Sequence, residues 1–381
     1  MKVSGDWLDH PGTQALCAAL ENAGYRALFV GGCVRNALLD EPVADVDLAT
    51  DATPENVTNI AENAGFKVVP TGFDHGTVTV IAAGRPHEVT TFRRDVETDG
   101  RRAVVAFSTR IEEDAARRDF TMNALYADAR GAVLDPLGGL PDLQSRRLRF
   151  VGDAETRIRE DYLRILRFFR FHAAYGDPDK GLDPDALAAC AALSAGLETI
   201  SKERIGAEMR KLLSAPDPAP AVASMAAAGV LAQILPGADH RALAPLIHLE
   251  GEAPRRWLRR LVVLGGGDAD TALRLSRAEV RDLAALRDAI AGLQTPAALG
   301  WQLGADLAAD AMLARAATFG FPPPQGWEVA VARGAAATFP VTAADLMPAL
   351  QGVALGQRMR ALEVAWLASD LTLGRQDLLN S

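Results

Sequence analysis

The sequence predicts an α+β fold in two unequal parts, a mixed part to about residue 150 and an all-helical remainder to residue 381. Three observations lead there. Short β-branched runs alternate with helix-like segments in the first part. Beyond it strand signals nearly vanish, and alanine, leucine and arginine at helical spacing dominate. A chain of 381 residues, 49% hydrophobic and 23% charged, is also long enough for two or more soluble domains with cores of their own.

Taken in order, residues 11–23 read as a helix stopped by Gly24. Residues 27–30 form a short apolar strand, and a helix over 31–39 begins at a glycine pair. Residues 46–49 read as a strand edge carrying acids. Thr53-Pro54 supplies an N-cap and a first-turn proline for a helix ending at Gly65. The β-branched or alternating runs 77–82 and 87–92, joined by Ala83-Gly84-Arg85-Pro86, predict a hairpin. The charged stretch 94–113 reads as a long mobile loop. A helix over 114–124, a strand and the turn 135–139 complete the first part. Helices follow over 160–174, 184–193 and 202–213, then several short ones broken at 216–219, 265–267 and 322–326, with no fixed repeat.

Forty Lys and Arg against 49 Asp and Glu give a formal charge of −9. That excludes a wholly basic nucleic-acid coat but leaves room for a local basic face. Arginines cluster at Arg101/Arg102, at Arg117/Arg118, at Arg146/Arg147/Arg149, from Arg157 to Arg170, and at Arg255, Arg256, Arg259 and Arg260. Cys17, Cys33 and Cys190 lie far apart, and no HExxH occurs. Neither a zinc knuckle, a disulfide framework nor a histidine-ligated catalytic metal is indicated. With no signal-peptide pattern and no apolar run of membrane-spanning length, the expected compartment is the cytoplasm, with no membrane partner.

Four groups carry chemistry. In GGCVRNALLD, Gly31 and Gly32 let backbone approach a phosphate, and Arg35 sits close enough to clamp it. The segment lacks GxxxxGK[ST] and is no P-loop; a plain strand-to-helix turn is the alternative. In ADVDLAT, Asp45 and Asp47 are two apart, so on a strand they share a face and reach one metal site. Glu88 is a candidate third carboxylate from a neighbouring strand, and three such acids suit Mg2+ in phosphoryl transfer. In RRDFTMNA, Arg118 and Asp119 at a helix start suit a triphosphate and a ribose, against the alternative of an exposed capping motif. In EDYLRILRFFR, Asp161 and Arg164 are three apart on a predicted helix, so an ion pair between them would present donors and an acceptor to a base edge. Arg167 stays near Arg164, whereas Arg170 drifts about opposite Asp161 and suits a phosphate or structural contact. A solvated salt-bridge ladder is the competing reading.

Together these segments, with DPLGGLPDL and SKERIGAEMRKLL, resemble in order the motifs of the tRNA nucleotidyltransferase/poly(A) polymerase family, bacterial and eukaryotic class, over about residues 28–215. The resemblance implies a polymerase-β-like nucleotidyltransferase head (1–150), a helical neck that selects the base (151–215), and a helical body and tail that bind tRNA (216–381). It implies CCA addition to the tRNA 3′ end from CTP and ATP, with Asp45 and Asp47 on magnesium. Gly31, Gly32, Arg35, Arg118 and Asp119 would then contact triphosphate and sugar, and Asp161, Arg164, Arg167 and Arg170 would form the base pocket. The family motif usually has Asp at position 36, where this chain has Asn, weakening any ion pair made there. A full-length loop over 94–113 goes with complete CCA addition. The basic track for tRNA would be the Arg146–Arg170 and Arg255–Arg260 clusters, the latter otherwise a solvated helix face. Competing readings are a poly(A) polymerase, a small-molecule nucleotidyltransferase and an inactive RNA-binding scaffold.

Overall fold

A computed structural model describes residues 1–99 and 102–381. The chain divides into two compact units, one of residues 1–200 with 228–230 and the other of residues 201–227 with 231–381.

In the first unit the helices are α1 (Asp6–Asp9), α2 (Pro11–Asn22), α3 (Gly32–Leu38), α4 (Pro54–Asn63), α5 (Ile111–Ala116), α6 (Leu140–Gln144), α7 (Ala154–Glu160), α8 (Leu163–Tyr175) and α9 (Pro184–Ala192). The strands are β1 (Leu28–Val30), β2 (Asp47–Thr50), β3 (Lys67–Gly72), β4 (Thr77–Ala82), β5 (Arg85–Thr91), β6 (Arg93–Asp99), β7 (Arg102–Phe107), β8 (Tyr126–Ala127) and β9 (Val133–Leu134). Seven strands form one sheet in the order β3-β4-β5-β2-β1-β8-β9. Thr53 caps α4 by accepting from the Asn56 N–H, and Pro54 fills the first turn, as their sequence pattern predicts. The β4–β5 hairpin is antiparallel, whereas β2 and β5 run parallel with Asp47 beside Glu88.

Three predicted elements differ. The stretch read as a loop over 94–113 forms the antiparallel pair β6–β7 and then α5; Gly100 and Arg101, at its tip, lie outside the described residues. The helix expected over 114–124 ends at Ala116 and resumes only as a 3-10 turn at Thr121–Asn123. Residues 119–121 instead pair with 149–151: Val151 N–H donates to Asp119 O and Thr121 N–H to Arg149 O. The helix expected over 160–174 is broken at Asp161, whose backbone is extended between α7 and α8.

An aromatic cluster fixes α8 against the 117–123 segment. Phe120 lies 4.9 Å from Phe150 and 5.2 Å from Phe171 between ring centroids, and Phe150 stacks on Phe168 at 5.6 Å. Such pairs prefer tilted or offset geometry and add about 0.5–1.5 kcal/mol beyond area burial.

The second unit is helical throughout its named elements, starting with α10 (Lys202–Leu213). Its longest helix, Pro296–Phe319, is interrupted at Gly304 by a left-handed φ of 77°. Gly300 and Gly334 let that helix meet Trp327–Ala336 closely: a Cβ at Gly334 would lie 1.9 Å from the Ala297 carbonyl oxygen.

The Arg255–Arg260 cluster splits: Arg255 is exposed, whereas Arg259 and Arg260 are buried and can form neither a solvated face nor a nucleic-acid track. Arg259 and Arg260 are 2% and 1% exposed. Arg259 donates to Glu250 at 2.8 Å and to Asp310 at 2.9 Å. Arg260 pairs with Glu250 at 2.6 Å and donates to the carbonyls of Leu213 and Ala215, capping the end of α10. Arg260 supplies donors to carbonyls that the end of α10 leaves without intrahelical partners. Removing one member of such a network strands the others in low dielectric. Arg260→Ala is expected to lose about 3–5 kcal/mol in urea unfolding, whereas exposed Arg255→Ala changes stability by less than about 0.5 kcal/mol.

Candidate active site

The acids come from two adjacent strands. Asp47 opens β2, Asp45 precedes it by two residues, and Glu88 sits beside Asp47 in the parallel register with β5. All three line a concavity of about 440 Å³ together with Thr79 and Arg85. Burial, then the Glu88 charge, pushes the Asp47 carboxyl up to about 6; the Arg118 guanidinium opposes this and Asp45 adds to it. Unpaired carboxylates crowded in a partly dry site are the donor set a hard cation satisfies. Among the described residues no group of three or more His, Cys, Asp or Glu is disposed to hold a metal ion, so Glu88 does not complete a three-acid cage with Asp45 and Asp47.

Beside the acids, Gly31 adopts φ 71°, a left-handed value that favours glycine. Two guanidinium groups flank this turn. A Cβ at Gly31 would lie 3.5 Å from Arg118 Nη1, and one at Gly32 would lie 3.8 Å from Arg35 Nη2. Arg118 is fixed by Asp114 at 3.0 Å and by the Tyr126 hydroxyl, to which its Nε donates at 3.1 Å. Asp114 also pairs with Arg117 at 2.6 Å and accepts from Tyr126 Oη at 2.7 Å. Burial pushes Asp114 up, but the two arginines and the tyrosine outweigh it and hold it below the usual carboxylate range.

Asp119 does not start a helix. It sits in the bend after α5, where its Oδ1 accepts from Phe120 N–H and from Asn123 Nδ2, both at 2.9 Å. Its Oδ2 receives Arg167 at 2.5 Å and 2.8 Å. Burial opposes ionisation of Asp119, but Arg167 and Asn123 override it and bring the carboxyl down to about 2. Asn123 Oδ1 accepts from Arg35 Nη1 at 2.5 Å, so one amide joins Asp119 to Arg35.

Asp161 and Arg164 do not share a helix. Asp161 Oδ1 accepts from the Leu163 N–H at the start of α8. Arg164 pairs with Glu160 at 2.5 Å and donates to the Arg157 carbonyl at 2.8 Å. Arg170 lies over the Phe171 ring at 4.2 Å. Arg157, which the sequence reading left in a generic basic run, is buried and donates to the Arg117 and Arg118 carbonyls, tying α7 to the turn. Asp114, Asn123 and Tyr175 also escaped that reading. Asn123 lies inside a quoted motif, and its short side chain next to a predicted turn was the available signal. Asp114 and Tyr175 carried none.

Comparison with known proteins places this arrangement. Residues 27–149 match the poly A polymerase head domain, and residues 181–241 match the probable RNA and SrmB-binding site of polymerase A. The Bacillus stearothermophilus CCA-adding enzyme, solved in complex with CTP, is 33% identical, with a TM-score of 0.73 over 94% of this chain and 93% of that one. The chain belongs to the tRNA nucleotidyltransferase/poly(A) polymerase family. Its head has the polymerase-β-like fold of that family, as the motif order implied. The Thermotoga maritima CCA-adding enzyme complexed with tRNA shares the fold at 18% identity, with a TM-score of 0.68 over 96% of this chain and 93% of that one. The CCA-adding enzymes of Streptococcus sanguinis strain SK36 and Streptococcus pyogenes serotype M4 are 48% and 44% identical over 199 and 232 residues, which is 52% and 60% of this chain. The chain spans about half the length of these curated relatives, 48% and 56%. Family members are nucleotidyltransferases that generally use divalent metals. Among the described residues no helix is long and apolar enough to cross a membrane.

The Asp119 pairing has a defined pH signature. Its carboxyl is lowered on folding, so it stabilises the fold above the unfolded value near 4 and loses that contribution as pH falls toward 2. Asp119→Asn is therefore expected to lower stability at pH 7 by on the order of 2 kcal/mol. The deficit should shrink between pH 4 and pH 2 in denaturant titrations.

Proposed function

We propose that this family member adds C and A nucleotides from CTP and ATP to the 3′ end of tRNA, without a nucleic-acid template. The observation that carries the reading is that β1, which leads into the Gly31–Gly32 turn, pairs with the acid-bearing β2, and that Arg118, beside Gly31, acts on the Asp47 carboxyl. It brings a hard-cation donor set next to an anion-binding turn, which nucleotidyl transfer needs. The extensive similarity to a CCA-adding enzyme solved with CTP supports the substrate.

On this reading Asp45 and Asp47, with Glu88 beside them, hold Mg2+. When bound, the cation neutralises charge on the phosphoryl oxygens. The terminal ribose 3′-oxygen of the RNA forms a bond to the α-phosphorus, the α–β bridging bond breaks, pyrophosphate leaves, and the hydroxyl proton is released to solvent. Arg118 and Arg35 stabilise the triphosphate as charge moves onto the leaving group. Asp119 orients the sugar while Arg167 holds its carboxylate. Asp161 and Arg164, at the start of α8, choose the base edge, with Arg167 and Arg170 completing the pocket. Arg164 must exchange part of its hold on Glu160 for the base. On this reading residues 1–150 act as catalytic head, 151–215 as base-selecting neck and 216–381 as the tRNA-binding body and tail, in the cytoplasm. Arg259 and Arg260 are buried and drop out of the basic track, which is left to exposed arginines of the 146–170 region and to Arg255.

Incubating tRNA lacking CCA with all four nucleoside triphosphates and sequencing the product tests the proposal. Terminal CCA supports it, an oligo(A) tail points to poly(A) polymerase, and an unextended RNA overturns it. Asp47→Ala is expected to lower incorporation at least ~10³-fold while tRNA retention on filters stays within about twofold. Arg164→Ala should admit UTP and GTP where the parent rejects them. Unchanged rejection in single-nucleotide assays refutes the base-reading role.

A further inference from the structure

Arg35 is 6% exposed, and each hydrogen-bond acceptor on its guanidinium is neutral. Asn36 Oδ1 accepts from Nε at 3.1 Å and from Nη2 at 2.8 Å. Asn123 Oδ1 accepts from Nη1. The Tyr175 hydroxyl accepts from Nη2 at 2.8 Å, and the guanidinium carbon lies 4.0 Å from the Tyr175 ring centroid and 5.1 Å from that of Phe171. The nearest carboxylate in this chain of bonds, Asp119, is engaged by Arg167, Asn123 and the Phe120 N–H. Buried charges are normally paired, so a cation fixed by neutral acceptors is set up for an anion that arrives from outside the fold. Burial, with Arg170 nearby, also lowers the hold of Arg35 on its proton, while Tyr175 and Asp119 oppose that.

Nη2 is the nitrogen that approaches Gly32. The same atom is the one shared by Asn36 and Tyr175, 140 residues further along the chain. We propose that Tyr175, in the last turn of α8, is a positioning residue that holds Arg35 Nη2 at the glycine turn, so that the helix carrying the base-reading residues also sets the triphosphate contact. The inference rests on the reading of Arg35 as a triphosphate ligand. Its hydroxyl fixes the nitrogen's direction, and its ring face covers the cation. The acceptor at position 36 is an amide rather than a carboxylate, so its hold on Nη2 is the weaker, neutral kind. The tyrosine hydroxyl supplies the second acceptor.

The test uses the full chain with Mg2+, reading CTP affinity by calorimetric titration and steady-state incorporation into tRNA lacking CCA. Tyr175→Phe keeps the ring and removes the acceptor. It is expected to raise KM and Kd for CTP about 3- to 10-fold, with kcat within about twofold and the melting temperature unchanged. In an Arg35→Gln background, Tyr175→Phe should have no further effect. Parent-like KM and Kd in Tyr175→Phe overturn the proposal. So does an equal loss in the Arg35→Gln background, or a loss that appears only with a fallen melting temperature. If the parent binds CTP but extends no tRNA, the functional reading falls, and the Kd comparison alone decides the role of Tyr175. A parent that binds no CTP overturns both.

Discussion

A buried guanidinium cannot shed its charge, so the fold around it must supply acceptors in a fixed geometry. In the first unit this requirement is met by one continuous chain: Arg167 on Asp119, Asp119 on Asn123, Asn123 on Arg35, and Arg35 on Tyr175. Its two ends lie on the same helix, α8, and its middle lies in the 119–123 turn and in α3. The turn is closed from its other side by Arg157 on the carbonyls of Arg117 and Arg118, just before it, and by the Phe120–Phe150–Phe168–Phe171 cluster. Displacing Asp119, Asn123 or Arg35 leaves a partner unsatisfied in a dry site, which costs more than the bond itself contributes, whereas Arg35 Nη2 keeps Asn36 Oδ1 when Tyr175 loses its hydroxyl. The proposed base pocket and the proposed phosphate turn are therefore joined by one chain of hydrogen bonds.

A second polar network does a different task in the second unit. Glu250 and Asp310 hold Arg259 between them, and Glu250 also holds Arg260 against the end of α10. Burial of Asp310 outweighs its two arginine partners and leaves its carboxyl above the usual range. Pairs of this kind contribute little net stability compared with an apolar core of equal volume, yet breaking them is severe.

The sequence conveyed the two-part architecture well because periodicity and composition are local properties. The Thr53-Pro54 cap, the β4–β5 hairpin and the span of α10 followed from a few residues each. The interruptions of α5 and of the α7–α8 junction did not. Residues 119–121 leave helix because they pair with 149–151, and no local propensity encodes a partner 28 residues away. The same holds for function. Asp45, Asp47 and the glycine pair are adjacent in sequence, so their spacing was readable, whereas Asp114 and Tyr175 acquire meaning only through the side chains they meet. Arg259 and Arg260 were misleading for a related reason. Composition counts charges without recording which of them face carboxylates inside the fold.

The parallel pairing of β2 with β5 has an evolutionary corollary. Successive strand residues face opposite sides, so Glu88 shares a side with Asp47 only while the chain between Thr50 and Arg85 delivers β5 in one phase. Length changes within the β3–β4 turn leave that phase intact, because β4 and β5 keep their own alignment. A single residue gained or lost inside β5 before position 88 would turn the carboxylate toward the opposite face. Diversification of this domain is thus free at its hairpin tips and constrained to even steps along the strand that carries the acid.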